Sequence, residues 1–302
     1  MPHTLRSLEL LNHGLDGSEL RHLAENCKNL EFLRVSLKGT VDLAHLRKIC
    51  FKLKVFELDL FYTNFVGLEK QSIFAPELEH FLYRHYLSSP MTDDVQEFLS
   101  TFLTHGIFEH SEKLQTIMLD FCGFSHRNLT PAQRQIDFFI TLVNYRNLQA
   151  LSLEDVIIFD DTVRNICVNN ADLQLLQLTN TTVTMEGFIS SLKQNARPKQ
   201  LGYRTHRLDY DAYDLHQKLC QYLDEQYDVN ERPTGPDDPR ILHFGVMYYD
   251  ATAKHYDAFT NMHPFIMLHW WIRLLPKCAE GLYPYDVNLW KYSSNNIYQK
   301  NL

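Results

Sequence analysis

The stretch Cys27–Leu37, CKNLEFLRVSL, decides how this chain folds. Apolar residues fall at 30, 33 and 35, and from Leu33 onward they alternate with polar ones. Side chains on a strand alternate between faces, so Leu33, Val35 and Leu37 share one side and Arg34 and Ser36 the other. That is the pattern of a half-buried strand. One such stretch carries little weight, so its recurrence is the question.

The pattern apolar-x-x-apolar-x-apolar recurs in phase along the chain. It fits Leu5/Leu8/Leu10, Leu30/Leu33/Val35, Leu53/Phe56/Leu58 and Leu78/Phe81/Tyr83. It continues at Leu114/Ile117/Leu119, Leu148/Leu151/Leu153 and Leu173/Leu176/Leu178, and Pro198/Leu201/Tyr203 keeps the phase. The first positions step by 25, 23, 25, 36, 34, 25 and 25 residues. Steps near 25 fall in the range of leucine-rich repeats. The segments between read as helices. Leu20, Leu23, Ala24 and Cys27 have helical spacing, as do Phe188, Ile189 and Leu192 after a candidate N-cap at Thr184. The two long steps hold longer helices, with Thr92 as one cap and Thr130 before Pro131 as the other.

A strand with one return helix is too small to bury its own apolar side. Stacked units solve this by sharing a core. The expected fold is α/β: a curved leucine-rich-repeat solenoid, with a parallel sheet on the concave face and helices on the convex face. Cys27 and Cys50 each precede a first-position leucine by three residues, and Ala75, Ser111, Tyr145, Asn170 and Asn195 fill the same place. This reads as a mostly small-residue site where helix turns into strand, so these cysteines are packing residues. Cys122, at the ninth place of its unit, reads the same way.

The runs C-x-x-L-x-x-L-x-V at Cys27–Val35 and C-x-x-L-x-x-F-x-L at Cys50–Leu58 resemble the cysteine-containing class of leucine-rich repeats. That class occurs in F-box/leucine-rich-repeat proteins, the substrate receptors of cullin-based ubiquitin ligases. The resemblance spans residues 1–205 and implies a substrate-binding repeat region. An F-box would be a helical module ahead of the repeats. The first strand begins at Leu5, so none is expected within this chain. The first unit is expected to need an N-terminal module or a partner over its face.

The 302 residues are 45% hydrophobic and 22% charged, with a formal net charge of -8. That balance suits a globular chain and offers no basic footprint for nucleic acid or an anionic membrane. The most apolar run, Pro264–Pro276, is too short to span a bilayer and contains His269 and Arg273. Six scattered cysteines without a CxxC read as thiols in a cytoplasmic or nuclear protein. The sequons at Asn128 and Asn180 read as chance matches.

Composition shifts beyond residue 205. Asp211–Asp228 reads as a helix with Leu215, Leu219, Tyr222 and Leu223 inward, and residues 229–240 read as an exposed loop. Ile241/Phe244/Val246 restores the strand pattern. Phe265/Leu268/Trp270 and Val287/Trp290/Tyr292 read either as degenerate repeats or as part of an aromatic cap, continuous with the solenoid.

No phosphate-binding glycine loop, HExxH or GxSxG is present. The acid pairs Asp93/Asp94 and Asp160/Asp161 sit at helix starts, where they complement the dipole, and Asp237/Asp238 lie in the loop. His243, His255, His263 and His269 match no metal spacing. No cofactor, metal or catalytic residue is expected. What remains is surface. Residues between the core positions project to the concave side: Glu9, Arg34, Glu57, Leu82 and Met118 in one row, and Asp59, Arg84, Asp120, Glu154 and Arg204 in the next. This mixed-charge groove, apolar near Leu82 and Met118, suits a protein partner. The expected function is protein binding, resembling substrate recognition by an F-box-type receptor. The alternatives are a repeat-only scaffold or inhibitor, and an enzyme with a site in the His/Tyr-rich end.

Overall fold

In the computed structural model, ten strands form one parallel sheet in strict sequence order. The structure describes residues 4–67, 75–86, 99–121, 139–194, 200–204, 212–225, 242–246 and 266–270. The strands are β1 (Ser7–Leu15), β2 (Phe32–Asp42), β3 (Val55–Val66), β4 (His80–Tyr86) and β5 (Thr116–Asp120). They continue as β6 (Ala150–Glu154), β7 (Leu175–Thr179), β8 (Gln200–Arg204), β9 (Leu242–Val246) and β10 (Ile266–Trp270). Parallel neighbours need crossovers. Helices α1 (Gly17–Asn26), α2 (Leu43–Cys50), α3 (Leu99–Phe108), α4 (Asp160–Asn169), α5 (Met185–Gln194) and α6 (Ala212–Asp224) lie in those crossovers.

The repeat is visible in the backbone. The carbonyls of Arg6, Glu31, Lys54, Glu79, Gln115 and Gln149 each accept two N–H groups from the entry to the next strand. These residues occupy the second position of successive units, so each strand is hung from the one before at the same point. The small-residue site also repeats. The carbonyls of Cys50, Ala75, Ser111 and Asn170 accept the N–H of Leu53, Leu78, Leu114 and Leu173, which turns helix into strand. All of them are buried, as are Cys27 and Tyr145. Where the site is polar it reaches its neighbours. Ser111 Oγ donates to Ala75 O at 2.8 Å, Tyr145 Oη to Phe108 O at 2.6 Å, and Asn170 Oδ1 accepts from Leu148 N at 2.8 Å. Buried polar groups are held this way because an unmade bond costs more than a made one gains.

The core lies between the sheet and the helices. Every core position expected in units two to seven is buried, from Leu30 to Leu178, and the described helices add Leu20, Leu23, Leu46, Phe102, Phe188 and Leu219 to the same cluster. Leu5, Leu8 and Leu10 of the first unit are only partly buried, β1 being an edge strand of the described sheet. An aromatic group marks the middle: Phe81 stands 5.9 Å from Phe56 and meets Phe108 edge-on at 6.4 Å, while Tyr83 lies 5.4 Å from Phe121. Cys27, Cys50 and Cys167 are buried thiols, and burial pushes Cys167 up to about 12, so they pack rather than react.

Several local expectations meet their geometry. Thr184 caps α5, its Oγ1 accepting from Gly187 N at 3.0 Å. Asp160 and Asp161 occupy the first turn of α4. Asp160 does more than offset a dipole, because its carboxylate accepts from Thr184 N at 2.8 Å and from Thr184 Oγ1 at 2.6 Å in the next unit. In α6, Leu219, Tyr222 and Leu223 are buried. Asn180 is buried with a left-handed φ of 52°, which makes its sequon an unfavourable glycan acceptor. The two long steps are described only in part. Within the first long step the helix spans Leu99–Phe108 and is wound with the wider π geometry. Within the second, the described part is a short 3₁₀ turn, Ile140–Asn144. Strands β9 and β10 continue the parallel sheet, His243 pairing in register with Gln200 and with Met267. Thr92, Asp93, Asp94, Cys122, Thr130, Pro131, the loop 229–240, His255, His263 and Val287/Trp290/Tyr292 lie outside the described residues. Among the described residues no helix is long and apolar enough to cross a membrane.

Candidate functional site: the polar face of the sheet

The residues between the core positions line the side of the sheet away from the helices, and register brings them into rows. One row runs Glu9, Arg34, Glu57, Leu82, Met118, Ser152, Gln177 and Gly202 across β1–β8. The next runs Ser36, Asp59, Arg84, Asp120, Glu154, Thr179 and Arg204 across β2–β8. Arg204 is placed by its backbone, opposite Thr179. The β1–β2 register is interrupted by a bulge between Leu10 and Leu15, so the second row begins on β2.

Adjacent parallel strands lie about 4.8 Å apart, within reach of a guanidinium on either side. Each arginine uses both sides. Arg34 Nη1 meets Glu9 Oε1 at 3.0 Å, and its Nε meets Glu57 Oε2 at 2.8 Å. Arg84 Nη1 meets Asp59 Oδ1 at 3.4 Å, and its Nε meets Asp120 Oδ2 at 3.3 Å. The result is two acid–arginine–acid triplets that share β3. Arg34 and Glu57 are close, at 2.8 Å between Nε and Oε2, and the guanidinium opposes the effect of burial on this carboxyl both by its charge and by hydrogen bonding.

These triplets are less open than the sequence suggests. Glu57, Asp59, Leu82 and Asp120 are buried, Arg34, Arg84, Met118 and Glu154 are half-buried, and Glu9 is exposed. Side chains in register at strand spacing shield one another, and a shared guanidinium draws its carboxylates inward. The apolar centre is therefore Met118 rather than Leu82. Glu57 is the most deeply buried carboxylate of the two triplets. Its one close cation is shared with Glu9, its β4 neighbour is Leu82, and Asp59 stands two residues along. Burial raises it to about 7, with Asp59 adding and Arg34 and Arg84 opposing.

Midway along the second row, Asp120 and Glu154 meet Asp155, which follows β6, and the three bring one carboxylate oxygen each within 4.8 Å of one another. Asp155 follows β6 with a left-handed φ of 56°. The sequence reading missed Asp155. A short polar side chain where a short strand stops was its signal, since aspartate tolerates that backbone region. His80 and His85 are both buried and both held below the usual imidazole range by burial, His85 to about 4. Each has a partner, Thr116 Oγ1 for His80 and Tyr83 Oη for His85, each 3.0 Å from Nδ1. Of the histidines picked out near the end of the chain, His243 and His269 fall on neighbouring strands out of register.

With this face laid out, comparison adds no relative. No protein-family model matches the chain, and no curated protein matches it.

Proposed function

We propose that the chain is a leucine-rich-repeat solenoid whose polar sheet face, on the inside of the curve, binds a protein partner. The observation that carries this reading is the set of rows just described. Charged side chains are locked in register across five strands, beside half-exposed Met118 and Glu154. Fixed charges select a partner and a neighbouring apolar group adds affinity. The in-phase repeat and its cysteine-containing units support substrate recognition like that of F-box-type ubiquitin ligase receptors, in the cytoplasm or nucleus. Binding rather than catalysis is the role assigned to the described residues.

The test is affinity capture with the full chain. Substituting Arg84 is a poor probe, because it would strand Asp59 and Asp120 without their shared cation. Glu154→Lys with Met118→Ser alters the half-exposed part of the face instead. A protein identified with the wild type, lost with this pair and kept with Arg164→Glu on α4, supports the reading. Equal capture by all three chains moves the binding surface off the sheet.

A further inference from the structure

The two triplets are not equivalent. In the second, Arg84 lies between Asp59 and Asp120, at 3.4 and 3.3 Å. In the first, Arg34 lies between an exposed carboxylate, Glu9, and a buried one, Glu57, only 2% exposed. The charged and polar groups set by register around Glu57 are Glu9 across from β1, Arg34 and Ser36 on β2, Asp59 on its own strand, and Arg84 on β4 beside Leu82. Two further acids stand near it, Arg34 is shared with Glu9, and Arg84 is committed to Asp59 and Asp120, so Glu57 is short of positive charge, and Leu82 excludes water on one flank. A buried carboxylate in that position is poised between ionised and neutral forms.

We propose that Glu57 is a proton-operated switch in the polar face: on mild acidification it takes up a proton and releases Arg34 to Glu9 and to an acidic group on a partner. The neutral carboxyl no longer competes for the guanidinium. The row Glu9–Arg34–Glu57 passes from one net negative charge to none. Arg34 has five N–H donors, so pairing with Glu9 leaves donors for an arriving carboxylate. This deepens the binding reading by giving that face a regulator. Its test uses no partner, so the two ideas fail separately.

The sign of the effect follows from linkage. Because folding raises this carboxyl above its ordinary value near 4.5, its neutral form favours the folded state at low pH. That advantage is lost as pH rises through about 7. One proton is involved, so the unfolding constant should gain about tenfold per pH unit across the window, relative to a chain with Gln at this site.

The experiment is a carbon-detected NMR titration of glutamate carboxyls in the full chain, from pH 4 to 8, with the Arg34 Nε–Hε signal followed in parallel. The expected result is one glutamate with its midpoint between about 6 and 8, missing in Glu57→Gln, and an Arg34 signal that moves with the same midpoint. Urea unfolding of both chains across that range should show a pH slope in the wild type that Glu57→Gln flattens. A Glu57 midpoint below about 5.5, or an Arg34 signal that ignores the titration, overturns the proposal. If Glu57→Gln does not fold, the Arg34 signal in the wild type decides.

Discussion

Strand β3 runs twelve residues, from Val55 to Val66, whereas β7 runs five, from Leu175 to Thr179, although both present the same core positions. The difference begins at the eighth place of the unit. In β2 and β3 that place holds Leu37 and Leu60, both fully buried, and the strand carries on. After β6 and β7 it holds Asp155 and Asn180, both left-handed, and the strand stops. A left-handed residue costs most side chains roughly 1–2 kcal/mol, less for Asp and Asn. The same core template thus ends in two ways, according to one residue. In the front, past a bulge after Lys38, Gly39 takes a φ of 68° and the β2–β3 ladder resumes at Gly39↔Thr63. In the rear the units are joined by side chains instead: Thr182 Oγ1 accepts from Ile158 N and donates to Ile158 O, and Asp160 holds Thr184.

The largest test of this contrast makes a front strand look like a rear one. Leu37→Asn should cost about 3–5 kcal/mol, since it empties an apolar site and buries an amide that the extended strand gives no turn to satisfy. Chemical denaturation measures it. A cost under about 1 kcal/mol would mean that β2 had accepted the turn, and that the eighth place alone sets strand length.

The next test loosens the rear joint. A Cβ on Gly187 would collide with the Asp160 carboxylate that holds Thr184. Gly187→Ala should therefore destabilise by about 2 kcal/mol, despite alanine being the better helix former. Asp160→Ala should cost about 1–3 kcal/mol for its lost bonds to Thr184. Combined, the two should cost clearly less than their sum, because the second change removes the clash caused by the first. Simple additivity in thermal melts would show that Asp160 and Gly187 do not press on each other.

Much of the fold is legible in the sequence. Core positions are written in the chain as a spacing of apolar residues, and the spacing survives insertions because it restarts in each unit. The rows of the polar face follow from the same phase, so Arg34 falls beside Glu57 and Arg84 beside Asp59 as anticipated. What stayed hidden depends on neighbours across strands. That one guanidinium bridges two carboxylates, and that Glu57, Asp59, Leu82 and Asp120 are thereby buried, needs register and packing together. The length of β3 was legible in principle, in Leu60 standing where β7 is followed by Asn180. The π winding of α3 was not, since its apolar residues Phe102, Leu103, Ile107 and Phe108 suit an ordinary helix equally well.

The smallest test reverses the first. Asn180 is buried at the stop of β7, and its left-handed backbone, not its apolar surroundings, is what the unit requires there. Asn180→Leu must either hold leucine at a φ of 52° or drive β7 onward as β2 runs on past Leu37. The first course costs about 1–2 kcal/mol. The second would pull Thr182 away from Ile158 and Thr184 away from Asp160, and would cost more. Asn180→Gly gives up the amide's contacts but fits the backbone, so it should be better tolerated than leucine by about 1 kcal/mol. Urea midpoints of the two variants, measured side by side, separate these outcomes. Leucine tolerated as well as glycine would show that the turn after β7 is imposed by the Thr182 and Asp160 contacts, with residue 180 merely following.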